Sequence, residues 1–106
     1  MAPSQTDAFK KAVVDSKKLT SKPSNEDLLE LYALYKIGTG EDITAATKPG
    51  MFDLKGKAKY NAWQKAVEDG TTAESAQEKY VAKIEAMKTQ YGYDADKEPE
   101  AVGASA

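Results

Sequence analysis

Neither cysteine nor histidine occurs in this chain of 106 residues, and all 15 of its cations are lysines, because arginine is missing as well. Without cysteine there is no disulfide framework, no thiolate nucleophile and no cysteine-based zinc site, a pattern that fits a reducing compartment. Without histidine the usual general base near neutral pH and the commonest metal ligand are gone, so neither a Ser-His-Asp nor a Cys-His mechanism can be assembled. The absence of arginine argues against the bidentate guanidinium contacts that typically read guanine, whereas the point-charge phosphate grip of lysine remains open. Long apolar runs are absent too, and the opening MAPSQTD lacks a basic region followed by an apolar stretch. A soluble, cytoplasmic chain with no secretory signal is the expectation.

What is present is patterned. The length suits one domain with a single modest core. The net charge of -2 hides two basic blocks: five Lys against two Asp in residues 1–22, and four Lys against one Asp in residues 49–66. Residues 92–106 hold Asp94, Asp96, Glu98 and Glu100 against Lys97, and without them the chain would be +1. This acidic, anchor-poor stretch reads as a disordered tail over residues 93–106, following one domain over residues 1–92.

Four segments carry helical periodicity and nothing between them alternates as a strand, so the class is all-α. In the first, Phe9, Ala12, Val13, Ser16 and Leu19 share a stripe. The second follows Lys22-Pro23, with Ser24 as cap, Glu26 and Asp27 at the positive end of the dipole, and an apolar face from Leu28 to Tyr35 that Gly38 and Gly40 stop. This helix is expected to be the best buried. Residues 41–52 read as a loop long enough for a crossover or a ligand contact. Asp53 caps the third helix, which ends near Gly70; Thr71 and Glu74 have capping-box spacing for the fourth, which Gly92 closes.

Two clusters could carry chemistry. Tyr32, Tyr35 and Lys36 share one helical face, and Lys55, Lys59 and Trp63 share another. A phenol ring stacks on a purine or bonds a phosphate, and an ammonium supplies charge-assisted hydrogen bonds. Spacing alone nonetheless favours core tyrosines, a core Trp63 and a solvated lysine face. Lys57 lies off the Lys55 and Lys59 face and reads as solvated. A hydrolase and a helical module for an acidic partner stay open as readings, although no nucleophile has a visible activating base. Nucleic acid gains little electrostatic drive from the near-neutral charge. No metal set is evident.

The residues KP at 22–23, YALYK at 32–36, PGMFDLKGKAKYNAW at 49–63, and Tyr80 ahead of a final YG make a specific, ordered set. With them the chain resembles the acyl-CoA-binding protein family from about Phe9 to Gly92. The resemblance implies an up-down-down-up four-helix bundle that binds one long-chain fatty acyl-CoA and serves as a carrier and pool former, not as an enzyme. It implies a head-group site of Lys17, Tyr32, Ala33, Tyr35, Lys36, Lys55, Lys59 and Tyr80, with Lys36 and above all Lys59 near the ribose 3′-phosphate. Phe9 and Val13 would line the acyl groove. Acyl-CoA is then the ligand rather than a cofactor, and the carrier is a monomer that makes transient contact with acyl-CoA-using enzymes and membrane surfaces. One position and one short stretch depart from the family pattern: Tyr60 stands where a tryptophan is common, and Ile37-Gly38-Thr39 replaces the usual continuation after YxxYK.

Overall fold

A computed structural model describes residues 4–96. Its four helices are α1 (Asp7–Ser16), α2 (Asn25–Gly38), α3 (Leu54–Glu68) and α4 (Ala73–Tyr91), and no strand forms among the described residues. The capping chemistry explains where each begins. The side chains of Thr6, Ser24, Asp53 and Thr72 accept from the backbone amides of Phe9, Asp27, Gly56 and Ser75, so each helix has one of its free first-turn donors satisfied.

The fourth cap is Thr72 and not the expected Thr71. Thr71 is already engaged in ending α3: after Gly70, at a φ of 82°, its amide bonds the Ala66 carbonyl at 3.2 Å while the Gly70 amide bonds Val67 at 3.0 Å. That pair of bonds is a Schellman turn, and it moves the next helix start along by one residue. The end of α2 falls at the expected glycines. Gly38 is its last, buried residue, because an added Cβ would lie 3.2 Å from both Phe9 Cζ and Gln77 Cγ. The left-handed turn falls at Gly40, the second of the two.

Directions follow from the contacts. Thr6 at the start of α1 bonds Gln77 near the start of α4, and Leu19, just past α1, forms an antiparallel bridge with Tyr93, just past α4; these two helices run the same way. Asp27 at the start of α2 pairs with Lys83 and Tyr91 late in α4, and Gly38 at its end meets Gln77, so α2 is antiparallel to α4. The short 69–72 link makes α3 antiparallel to α4 as well. The order is therefore up-down-down-up. α2 packs on both α3 and α4, and α1 packs on α4. Parallel α2 and α3 require a crossover; residues 39–53 supply it, and the 3₁₀ turn Ile43–Ala45 anchors it through buried Ile43.

α1 stops three residues short of Leu19, the last residue of its expected stripe; Leu19 is buried from the following loop. The expected tail also begins with placed residues: the Tyr93 hydroxyl bonds Asp15 at 2.8 Å, Asp94 N–H bonds the Lys18 carbonyl at 3.2 Å, and Lys18 Nζ bonds the Ala95 carbonyl at 3.0 Å. Residues 97–106, the rest of that expected tail, lie outside the described residues, as do residues 1–3.

Candidate functional site

The core that supports the site is aromatic. Phe9 of α1 is fully buried, 5.2 Å edge-on from Tyr80 of α4 and 6.2 Å from Tyr35 of α2, and the Tyr35 and Tyr80 rings lie 6.4 Å apart. Such offset and edge-on arrangements suit the ring quadrupoles, so three helices are locked at one level. Tyr80 is 1% exposed. Burial pushes its phenol up to about 12, against a smaller opposing effect of the Ser16 hydroxyl, so it stays protonated at neutral pH.

Beside this core, at the seam of α2 and α3, two cations flank one ring. Lys36 Nζ of α2 and Lys59 Nζ of α3 each lie 5.5 Å from the centroid of the Tyr32 ring. Lys36 Nζ is also 5.8 Å from Trp63, whose ring meets Tyr32 edge-on at 6.5 Å. Parallel packing of α2 and α3 produces this, since Tyr32 and Lys36 advance along α2 as Lys59 and Trp63 advance along α3. Cation–π attraction and the aliphatic stems hold the ammonium groups beside an aromatic surface. Lys36 also carries an ion pair to Glu41, at 3.0 Å.

Of the residues expected in a head-group site, Tyr32, Lys36 and Lys59 are thus brought together, with Tyr35 one position away on α2 and facing the aromatic core. Lys55 is exposed one turn before Lys59. Lys17 is the half-buried C-cap of α1, directly after Ser16, whose hydroxyl interacts with Tyr80. Ala33 is not in the cluster: it is buried and lines a separate groove with Leu29, Ala62 and Ala66. Phe9 lies wholly inside the core, whereas Val13 is half-buried against it. Lys57 is not simply solvated, because its Nζ donates to the Met51 carbonyl at 2.7 Å and ties down the turn before α3. Trp63 is buried, as a core anchor should be, and its indole Nε1 has no acceptor among the described residues.

Two features escaped the sequence reading. Glu41 is one, although a glycine followed by an acid at a helix end was a readable signal. The other is a cluster of large apolar side chains in water: Met51 and Leu54 are largely exposed, and Phe52 is 92% exposed. PGMFDL resembles an ordinary turn and helix start, and nothing in its residue types forecasts outward-facing side chains. Among the described residues there is no group of histidine, cysteine or carboxylate side chains fit to hold a metal, and no helix long and apolar enough to cross a membrane.

Comparison with known proteins fits this arrangement. The family model for acyl-CoA-binding protein matches residues 6–84. An acyl-CoA-binding protein homolog of Manduca sexta is 45% identical over 84 residues, covering 79% of this chain and 91% of the relative. Acyl-CoA-binding protein homolog 1 of Caenorhabditis elegans is 48% identical over 85 residues, covering 80% and 95%. Among solved structures, the crystal structure of Oryza sativa acyl-CoA-binding protein 2 superposes with a TM-score of 0.70 at 35% identity, covering 87% of this chain and 97% of that one. The chain belongs to the acyl-CoA-binding protein family.

Proposed function

We propose that this protein binds long-chain fatty acyl-CoA and acts as its carrier and pool former. The observation that carries the reading is the Tyr32 ring flanked at 5.5 Å by Lys36 and Lys59. An aromatic surface with two ammonium groups suits a purine nucleotide bearing phosphate. Lys36 and Lys59 are assigned to the ribose 3′-phosphate, with Lys59 the principal contact; Tyr32, Tyr35, Tyr80, Lys17 and Lys55 complete the head-group contacts. Val13 borders the acyl groove, and Phe9 backs it.

Magnitudes divide the work. A palmitoyl chain buried at about 0.8 kcal/mol per methylene contributes on the order of 10 kcal/mol before ordering costs. A nanomolar complex needs about 12 kcal/mol, so tail and head group must act together. Calorimetric titration with palmitoyl-CoA and with palmitate tests this: saturable one-to-one binding of the first and far weaker binding of the second is expected. No saturable binding of palmitoyl-CoA would reject the reading.

The protein binds and does not turn over its ligand. The reading is supported by the lack of histidine and cysteine, which leaves no nucleophile with an activating imidazole. Incubation with palmitoyl-CoA should release no free thiol above a Lys59→Ala control.

The carrier works in the cytoplasm as a monomer that touches acyl-CoA-using enzymes and membranes in passing. Exposed Met51, Phe52 and Leu54 beside exposed Lys48 and Lys55 support a membrane contact, since apolar wedges rimmed by cations suit an anionic bilayer. Phe52→Asp should lower co-sedimentation with phosphatidylserine vesicles while sparing palmitoyl-CoA affinity.

A further inference from the structure

The end of α2 is built so that one carboxylate reaches Lys36. Thr39 caps the helix, Gly40 takes a φ of 79°, its amide bonds the Ile37 carbonyl at 3.0 Å, and the Glu41 amide bonds the Lys36 carbonyl at 3.1 Å. These are the two bonds of a Schellman turn, which folds residue 41 back against residue 36. The Thr39 hydroxyl, bonded to the carbonyl of Tyr35 at 2.9 Å, pins the same turn. Both carboxylate oxygens of Glu41 then lie against Lys36 Nζ, at 3.0 and 3.2 Å. Lys36 is only 17% exposed and Glu41 is 47% exposed, so the cation is held and the acid is free to swing away. Among the described residues, Lys17, Lys55 and Lys59 have no carboxylate partner; of the four candidate lysines, only Lys36 does.

The geometry points to Glu41 as an internal anion that occupies the phosphate seat of Lys36 when no ligand is there and competes with the ligand for it. The inference rests on the phosphate role proposed for Lys36. An entering phosphate must displace the carboxylate, so part of each new contact replaces an old one and the net affinity is lower than the contacts alone would give. The exchange also works in reverse. As the phosphate departs, Glu41 takes its place and the ammonium of a half-buried lysine is not left unpaired, which lowers the cost of release. A carrier that must deliver its cargo is served by such an arrangement.

The test is a titration of palmitoyl-CoA into the wild-type protein, Glu41→Gln, Lys36→Ala, Lys36→Ala/Glu41→Gln and Glu78→Gln. Glu78 is exposed on α4 and controls for net charge. Glu41→Gln is expected to bind about two- to fivefold tighter, the range of a partly exposed ion pair, with the change in the dissociation rate measured by stopped flow. The double variant should match Lys36→Ala, and Glu78→Gln should match the wild type. Unchanged or weaker binding by Glu41→Gln, or an equal gain in the Lys36→Ala background or in Glu78→Gln, overturns the competition while leaving the carrier reading intact. If Lys36→Ala binds as tightly as the wild type, the phosphate role fails and the competition with it.

Discussion

Lys59 Nζ of α3 sits 5.5 Å from the centroid of the Tyr32 ring of α2, and this relationship joins two motifs separated by the crossover of residues 39–53. Parallel helices place the two on one side of the seam, with Lys36 arriving from α2 at the same distance from the same ring. Replacement of either lysine by alanine should weaken palmitoyl-CoA binding by about tenfold or more, the worth of a charge-assisted hydrogen bond to phosphate. Lys57→Ala, which loses only a bond to the Met51 carbonyl, should change affinity little. Titration calorimetry, with circular dichroism to verify the fold, reads the difference; equal losses at all three would mean that general charge carries the effect.

Gly92 closes α4 at a φ of 82° and a ψ of 153°, a region that only glycine populates readily, and an added Cβ would lie 2.1 Å from the Thr20 hydroxyl oxygen. That hydroxyl bonds the Tyr91 carbonyl, and the Thr20 amide bonds the Gly92 carbonyl, so the link between α1 and α2 is stitched to the end of α4 here. Gly92→Ala should cost about 1 to 3 kcal/mol in urea unfolding. A loss below a few tenths of a kcal/mol would contradict the role given to this junction.

Asp15 is a buried carboxylate shared by three partners: Lys88 at 2.8 Å, Lys11 at 2.9 Å and the Tyr93 hydroxyl at 2.8 Å. Burial by itself would raise its pKa, yet the hydrogen bonds from Lys88, Lys11 and Tyr93 outweigh it and hold the group at about 2 instead of 3.8. A carboxylate whose pKa is depressed in the folded state contributes stability above its unfolded value, and that contribution is lost as pH falls toward the folded value. The window here runs from about pH 4 down to pH 2, and the contribution at neutral pH is about 2 kcal/mol. Asp15→Asn should therefore lower stability at pH 7 by roughly that amount and flatten the acid limb of the stability profile. A variant as acid-sensitive as the wild type would contradict the assignment.

Trp63 is the only tryptophan, is buried, and touches Tyr32 and Lys36. Its emission should be blue-shifted in the free protein and should change in intensity when palmitoyl-CoA engages the neighbouring lysines. Lys36→Ala should alter that free-state emission, whereas Lys55→Ala, exposed and outside its contacts, should not.

Much of this architecture is legible in the sequence. Apolar positions spaced at three and four marked α2 and α4, and Ser24 and Asp53 marked two helix starts, because capping is local chemistry written in adjacent residues. Tyr32, Lys36, Lys59 and Trp63 could be grouped pairwise by helix face, but periodicity says nothing of which face meets which; only the parallel packing of α2 on α3 does. The same limit hid three other features. Thr71 resembled a cap because its engagement by Ala66 depends on how α3 ends. Gly38 does end α2, but the packing that also requires glycine there involves the Phe9 ring of another helix. Tyr93 looked like the start of a loose tail because its partner, Asp15, is 78 residues away.

In the proposed carrier, placed lysines grip a nucleotide phosphate while helices shield an acyl chain. The most direct measurement is a paired calorimetric titration of the wild-type protein with palmitoyl-CoA and with palmitoyl-dephospho-CoA, which lacks only the 3′-phosphate. Saturable one-to-one binding of the first, weakened by about tenfold or more in the second, is the expected result. Equal affinities for the two ligands, or no saturable binding of either, would contradict it.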